Sequence, residues 1–229
     1  MNGLKKINIG VYGSSGRMGR AIVDELNISK EYNLQYSYDG KSENSLDELL
    51  KCDVIIDFST PKATLDLIRA VKHHKVKIVS GTTGFTDLEF SELINLSKSI
   101  PILYSANMSI GINIINYLLK ILDQNLPNDF DIDIIDMHHS EKKDRPSGTA
   151  LMLQNSIKSR ISNIASIRSG QIIGTHELYF SGLDEQIVIK HNVFSRKVFA
   201  SGALKAAMFL HECNNPRLYS MKDIFYNSQ

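Results

Sequence analysis

The chain has 229 residues, of which 42% are hydrophobic and 22% charged, with a formal net charge of +1 at pH 7. That length permits one large domain or two modest ones, and the balanced charge gives no long-range attraction to nucleic acid, so a small anionic ligand would need local positive charge. The 2 cysteines form no CxxC pair, so no disulfide framework or zinc knuckle is suggested, and no apolar run is long enough to span a membrane.

A strand-like run at 6–12 starts the chain without an apolar leader, so no signal peptide is expected and the reading is a soluble cytoplasmic protein. The glycine-rich stretch Gly13-Ser14-Ser15-Gly16-Arg17-Met18-Gly19 follows at once, and Met18, Ile22 and Leu26 give 18–29 helical spacing. A second strand at 34–38 ends at Asp39-Gly40, and 46–50 is short and helical. The strand at 53–58 runs into Ser59-Thr60-Pro61, a helix start whose apolar face is Leu65, Ile68 and Val71. A strand at 75–79 closes in Ser80-Gly81-Thr82-Thr83-Gly84, a helix covers 86–98, and a strand at 101–104 closes in Ser105-Ala106-Asn107. This alternation predicts α/β architecture, with a Rossmann-like parallel sheet covered on both faces.

The pattern changes after Asn107. A long apolar helix at 110–122 suits a link between two lobes. A strand at 130–139, a helix at 147–160, strands at 164–168, 171–180 and 186–194, and a helix at 196–211 complete the chain. Gly182-Leu183-Asp184 marks a hairpin between the last two strands. The mixture predicts a second, α+β domain built on an open mixed sheet.

Two stretches carry chemistry. Gly13, Gly16 and Gly19 sit between strand and helix, where glycines let a backbone approach a pyrophosphate and a helix start attracts it. The spacing is GxxGxxG, and a tight strand–helix turn without ligand has the same glycines. Arg17 is either a phosphate neighbour or a surface arginine. Asp39, at the end of the second strand, can accept from a ribose hydroxyl and would repel a 2′-phosphate, favouring NAD; Lys41 nearby could attract that phosphate. Phe58-Ser59-Thr60 and Gly81-Thr82-Thr83-Gly84 follow later strands, at the ligand edge of such sheets, though either alone is also an ordinary turn.

The second stretch runs from Asp136 to Ala150. His138 and His139 end a strand, and histidine is the natural proton donor near neutral pH. Lys142 and Lys143 add positive charge. Ser147 or Thr149 can cap a helix whose start, with Gly148, can bind a carboxylate. A plain cap after a charged loop would look alike. His138, His139, Glu141 and Asp144 match no closed zinc pattern, so no metal is expected. His73 and His74 read as solvated surface, while His176 and His191 either frame the pocket from later strands or pack there.

These motifs, in order, resemble the 4-hydroxy-tetrahydrodipicolinate reductase (dihydrodipicolinate reductase) family over most of the chain. The most specific match is His138-His139-x-x-Lys142-x-Asp144-x-Pro146-Ser147-Gly148-Thr149-Ala150. Supporting matches are Asp57-Phe58-Ser59, Ser105-Ala106-Asn107-Met108-Ser109, Gly170-x-Ile172-x-Gly174-x-His176 and His191-x-x-x-x-Arg196-x-x-Phe199. The resemblance implies hydride transfer from NADH or NADPH to a cyclic, unsaturated imine dicarboxylate, giving 2,3,4,5-tetrahydrodipicolinate in lysine and diaminopimelate biosynthesis. It implies His138 as proton donor and Lys142 as the other catalytic group. His139 would help bind substrate, and Ser147, Gly148 and Thr149 would grip its second carboxylate.

Cofactor contacts are implied from Gly13, Ser15, Gly16, Arg17 and Met18, then from Phe58, Ser59 and Thr60. Gly81, Thr82, Thr83, Ala106, Asn107, Met108, Arg196 and Phe199 complete that set. The expected organisation is a dinucleotide-binding domain at 1–107, a substrate-binding and oligomerisation domain at 108–195, and a segment at 196–229 returning to the first domain. The resemblance also implies a homotetramer joined through its sheets. Asp136 stands where glutamate is more common in the family, and no basic residue directly follows Asp39. Another NAD(P)-dependent reductase of related architecture, or a non-catalytic NAD(P)-binding protein, stays open on the residues alone.

Overall fold

The structure, a computed structural model, describes residues 6–40, 45–157 and 161–226. It divides into two compact units, Met1–Ser109 with Lys197–Gln229, and Ile110–Arg196.

The first unit is built on β1 (Ile7–Tyr12), α1 (Arg17–Ile28), β2 (Tyr32–Tyr38), α2 (Ser45–Leu49), β3 (Val54–Asp57), α3 (Pro61–Val71), β4 (Lys77–Ser80), α4 (Asp87–Leu96) and β5 (Ile102–Tyr104). Its strands are short and apolar on both sides: Val54, Ile55, Ile56, Ile78, Val79, Ile102 and Leu103 have no exposed surface. Such strands need cover on both faces, which a parallel sheet with crossover helices supplies. Ile55, Ile78 and Ile102 pack against Leu65 and Ile68 of α3 and Leu93 of α4. Each fully buried side chain of this size contributes about 1.5–3 kcal/mol. Thr60 caps α3 by accepting from the Ala63 N–H, and Thr86 forms a capping box with Glu89 at the start of α4.

The second unit contains α5 (Ile110–Asn125), β6 (Asp131–His138), α6 (Gly148–Gln154), β7 (Ile161–Arg168), β8 (Gly174–Ser181) and β9 (Gln186–Val193). The chain then returns to the first unit as α7 (Lys197–Glu212), β10 (Leu218–Tyr219) and α8 (Asp223–Tyr226). There α7 packs on α1, β3 and β4, and β10 pairs with β5.

The first sheet runs β10-β5-β4-β3-β1-β2, with every pairing parallel. The chain therefore reverses its direction of winding between β1 and β3, the switch point at which open α/β sheets bind ligands. The second sheet runs β7-β6-β8-β9, with β6 and β7 parallel and the other pairings antiparallel. This is a mixed sheet, as the sequence predicts. A hydrogen bond from the Gly182 N–H to the Glu185 carbonyl closes the β8–β9 hairpin.

One face of the second sheet changes character along its strands. At one end Ile132, Ile134, Leu178 and Phe180 form a core with Ile112, Ile115 and Leu119 of α5 and Leu153 of α6. At the other end the same face carries Asp136, His138, Ser166, Arg168 and His176, because side chains on a strand alternate with period two.

Several element bounds differ from the sequence reading: β2 starts two residues earlier, β4 two residues later and α5 runs on to Asn125. The helix expected at 147–160 ends at Gln154, with Asn155 as its C-cap, while 158–160 lie outside the described residues. β7 starts at Ile161 instead of 164, where pairing with β6 extends it. β8 starts at Gly174 instead of 171, because Gly170 turns with positive φ. Among the described residues, no helix is long and apolar enough to cross a membrane.

Candidate active site

The first unit gathers most of the predicted cofactor residues at the C-terminal ends of consecutive parallel strands. Gly13, Ser15, Gly16, Arg17 and Met18 follow β1, Asp39 follows β2, and Phe58, Ser59 and Thr60 follow β3. Gly81, Thr82 and Thr83 follow β4, and Ala106, Asn107 and Met108 follow β5. Arg196 and Phe199 are outside this strand-end set: Arg196 is exposed and closes the second unit, and Phe199 stands in the first turn of α7. Lys41 lies outside the described residues.

The turn after β1 is shaped for close approach. Gly13 has φ 82°, a left-handed conformation that favours glycine. A Cβ at Gly19 would stand 2.2 Å from the Gly13 carbonyl oxygen, so α1 can start this close to β1 only with glycine there. Gly16, the N-cap of α1, supplies no capping side chain, and the first turn carries no acid. The positive end of the helix is thus left without an internal anion, which suits a pyrophosphate. These residues fit a dinucleotide.

Sequence reading attached no role to the device that holds the next loops. Asp57, fully buried at the end of β3, accepts from the Ser59 hydroxyl at 2.6 Å, Thr64 at 2.6 Å, Ser80 at 2.9 Å and Thr82 at 3.1 Å. It thereby ties the loops after β3 and β4 to α3. Burial pushes its carboxyl above the ordinary value, and these four hydroxyl donors offset that only in part.

The second unit builds its site around Asp136. Its carboxylate is fully buried, and its two oxygens have different partners. Oδ2 accepts from Arg168 at 2.9 Å, from the Ser147 N–H at 2.9 Å and from the Ser166 hydroxyl at 3.3 Å. Oδ1 faces His138 Nδ1 at 2.9 Å and His176 Nε2 at 3.4 Å. The His138 approach is bent, an ion-pair contact more than a straight hydrogen bond. Burial alone would raise the Asp136 carboxyl, but His138, His176 and Ser147 hold it well below the carboxylate range. Burial lowers the His176 imidazolium, against the pull of Asp136.

With Nδ1 turned to Asp136, His138 directs Nε2 the other way, toward Gly174. A Cβ at Gly174 would come within 3.3 Å of that nitrogen. The histidine is therefore oriented by a carboxylate at one nitrogen while the other points away from it.

His139 follows directly after β6, and its carbonyl accepts from the Lys142 N–H at 3.2 Å. The Lys142 ammonium lies 2.8 Å from Asp144 Oδ1, and the Asp144 side chain is 53% exposed. Burial would raise Asp144, but Lys142 and the backbone N–H groups of Asp144 and Gly148 hold it low. Ser147 caps α6, its hydroxyl accepting from the Ala150 N–H at 3.2 Å and meeting His176 Nε2 at 3.3 Å. Both its N–H and its hydroxyl thus have protein partners. Gly148 is exposed, and Thr149 follows it in the first turn of α6.

Asp136, His138 and His176 place ligating atoms within 4.8 Å of one another, a spacing that a metal ion could bridge. Arg168 already supplies the countercharge to Asp136. Arg168 itself carries no mark in the sequence beyond its place at a strand end. The register that sets Ser166 beside Asp136 and Arg168 beside His138 brings it in.

Comparison with known proteins agrees over most of the chain. The family described as "Dihydrodipicolinate reductase, N-terminus" matches residues 7–108, and "Dihydrodipicolinate reductase, C-terminus" matches 111–225. A 4-hydroxy-tetrahydrodipicolinate reductase from Rickettsia bellii is 40% identical over 240 residues, covering 96% of this chain and 95% of the relative. One from Clostridium tetani is 39% identical over 236 residues, covering 89% and 91%. The fold is similar to that of a dipicolinate-bound dihydrodipicolinate reductase from Paenisporosarcina sp. TG-14, with a TM-score of 0.81, 22% identity, and coverage of 94% and 98%. On the two matched halves and relatives of this identity, the chain belongs to the dihydrodipicolinate reductase family.

Proposed function

We propose that this chain reduces the cyclic imine derived from 4-hydroxy-tetrahydrodipicolinate to 2,3,4,5-tetrahydrodipicolinate, using NADH or NADPH, in lysine and diaminopimelate biosynthesis. Family membership supports the reaction and its cofactors. The observation that carries the mechanism is the anchoring of His138 on Asp136 in the strand that leads into the Lys142 loop. When bound, the nicotinamide supplies a hydride.

Reducing the conjugated ring with a hydride leaves an electron pair that must take up a proton. His138 donates it from Nε2, with Asp136 holding the ring in place through Nδ1. Lys142 pairs with a substrate carboxylate and favours negative charge on the ring. Asp144 now occupies that ammonium, so the substrate carboxylate takes the place of the Asp144 side chain, which is exposed enough to turn away. His139 and the start of α6 complete the anion-binding set. Asp39 supports acceptance of NADH, since a carboxylate there suits a ribose hydroxyl.

A coupled assay tests this. Dihydrodipicolinate synthase generates the substrate from pyruvate and aspartate semialdehyde, and loss of reduced nicotinamide is followed with NADH and NADPH separately. His138→Gln and Lys142→Met are each expected to cut kcat by about 10²-fold or more while NADH binding persists. Near wild-type turnover in either variant would end the role given to that residue.

We also propose a homotetramer joined through the outer face of the second sheet. That face presents Ile167 at 44% and Val188 at 47% exposure, with half-buried Ile135 and Met137 on β6, between their edge strands, and the Lys190–Glu177 ion pair on the same face. Exposed apolar side chains on an uncovered sheet suit a self-complementary interface. Light scattering on Ile167→Asp with Val188→Glu is expected to give a smaller species, and an unchanged mass would place the interface elsewhere.

A further inference from the structure

We infer that Arg168 is a positioning residue for proton transfer, bracing both the histidine anchor and the lysine loop. The inference rests on the roles proposed above for His138 and Lys142. The Arg168 side chain is 1% exposed. Its guanidinium reaches in two directions. Toward β6 it donates to Asp136 Oδ2 at 2.9 Å and to the Asp136 carbonyl at 3.2 Å. Toward the loop it donates to the Asp144 carbonyl at 2.5 Å, and it also donates to its neighbour Ile167 at 2.8 Å.

The division of labour at Asp136 makes this more than charge neutralisation. Arg168, the Ser147 N–H and Ser166 claim Oδ2, which leaves Oδ1 aimed at His138 and His176. The guanidinium therefore sets the rotation of the carboxylate, and through it the direction of His138 Nε2. The same side chain holds the backbone of Asp144, two residues after Lys142, while leaving the Asp144 side chain able to release the lysine. A lysine at this position would supply the charge without the planar fork needed to serve β6 and the loop together.

Arg168→Lys is the deciding variant because it keeps a cation beside the buried carboxylate. Turnover per folded molecule is expected to fall about 10-fold or more, with KM for NADH unchanged and the pH dependence of kcat displaced. In Arg168→Ala, guanidinium ion at low concentration is expected to restore part of the turnover, and sodium chloride at equal ionic strength is not. Wild-type kcat and pH profile in Arg168→Lys would overturn the inference, because charge alone would then suffice. Lower turnover with an unmoved pH profile would also overturn it, as a purely structural loss. His138→Gln is run alongside. Full turnover there overturns the histidine's role and the inference with it; an impaired His138→Gln beside an unimpaired Arg168→Lys overturns the inference alone.

Discussion

Each unit of this chain contains an aspartate with no exposed surface, and the two are held by opposite means. Asp57 is surrounded by neutral hydroxyls from Ser59, Thr64, Ser80 and Thr82, and its carboxyl is pushed up. Asp136 is surrounded by Arg168, His138, His176 and the Ser147 N–H, and its carboxyl is drawn down. Burial disfavours charge at both sites. The hydrogen bonds each carboxylate receives decide the outcome: those from the two imidazoles and Ser147 outweigh burial at Asp136, and the four hydroxyls do not at Asp57. A carboxylate among hydroxyls is a tie between loops, well suited to shaping a nucleotide edge. A carboxylate held by a guanidinium, two imidazoles and a backbone N–H is a fixed negative charge, well suited to orienting a histidine.

The largest effects are expected from breaking the charged site. Asp136→Asn keeps the shape but offers an amide to Arg168 and His138, so the histidine loses the carboxylate that orients its ring. A fall in kcat of about 10²-fold or more is expected, with NADH binding unchanged. Asp136→Ala goes further, leaving Arg168 buried without its partner, and is expected to cost about 3–5 kcal/mol in denaturant unfolding. Breaking the neutral site should have the reverse signature. Asp57→Asn replaces one accepting oxygen with an amide donor, so either the Ser59 N–H loses its acceptor or the hydroxyls on the other oxygen must reverse, and it is expected to cost about 1–3 kcal/mol. Its kinetic effect should be a raised KM for NADH with kcat little changed. If both variants gave the same split between kcat and KM, the contrast between the two aspartates would carry no functional meaning.

The two sites should also bend stability with pH in opposite senses. Asp136 has a folded value below its unfolded value of about 4, so its contribution is present above about pH 4 and is lost as pH falls through the folded value. Asp57 has a raised folded value, so its contribution is present at low pH and is lost as pH rises from about 4 through the folded value. His176, whose value is lowered, contributes above about pH 6.5 and loses that contribution as pH falls toward its folded value. Unfolding free energies measured across this range should therefore show the gap between wild type and Asp136→Asn closing toward acid. The gap to Asp57→Asn should close as pH rises. Gaps that move together would sharpen the question of which aspartate has been given the wrong partners.

The same comparison explains what could be read from residues alone. The apolar strands at Val54–Asp57 and Lys77–Ser80 announce a parallel sheet because burial on both faces leaves no room for polar alternation. His138 and Lys142 stand out because no hydrophobic core needs them. The partners of each aspartate were harder to see. The hydroxyls around Asp57 are spread from Ser59 to Thr82 and converge only when β3 and β4 pair. Arg168 is 32 positions from Asp136, and only the β6–β7 register joins them. β10 is two residues long, too short for any periodic signal, and is defined by pairing with β5. In each case the missing information was register, which hydrophobic pattern constrains and does not spell out.

The smallest expected effect tests the exposed edge of the charged site. Asp144 pairs with Lys142 at 2.8 Å, but its side chain is half in solvent, where such pairs have little strength. If a substrate carboxylate must take this ammonium from Asp144, then Asp144→Asn removes a competitor without removing the backbone carbonyl that Arg168 holds. KM for the imine should then fall by about 2- to 5-fold, in keeping with the modest strength of exposed ion pairs, and kcat should change little. A rise in KM would mean that Asp144 orients Lys142 for substrate and does not compete for it. The exposed carboxylate would then belong with Asp136, as a second fixed anion of the catalytic apparatus.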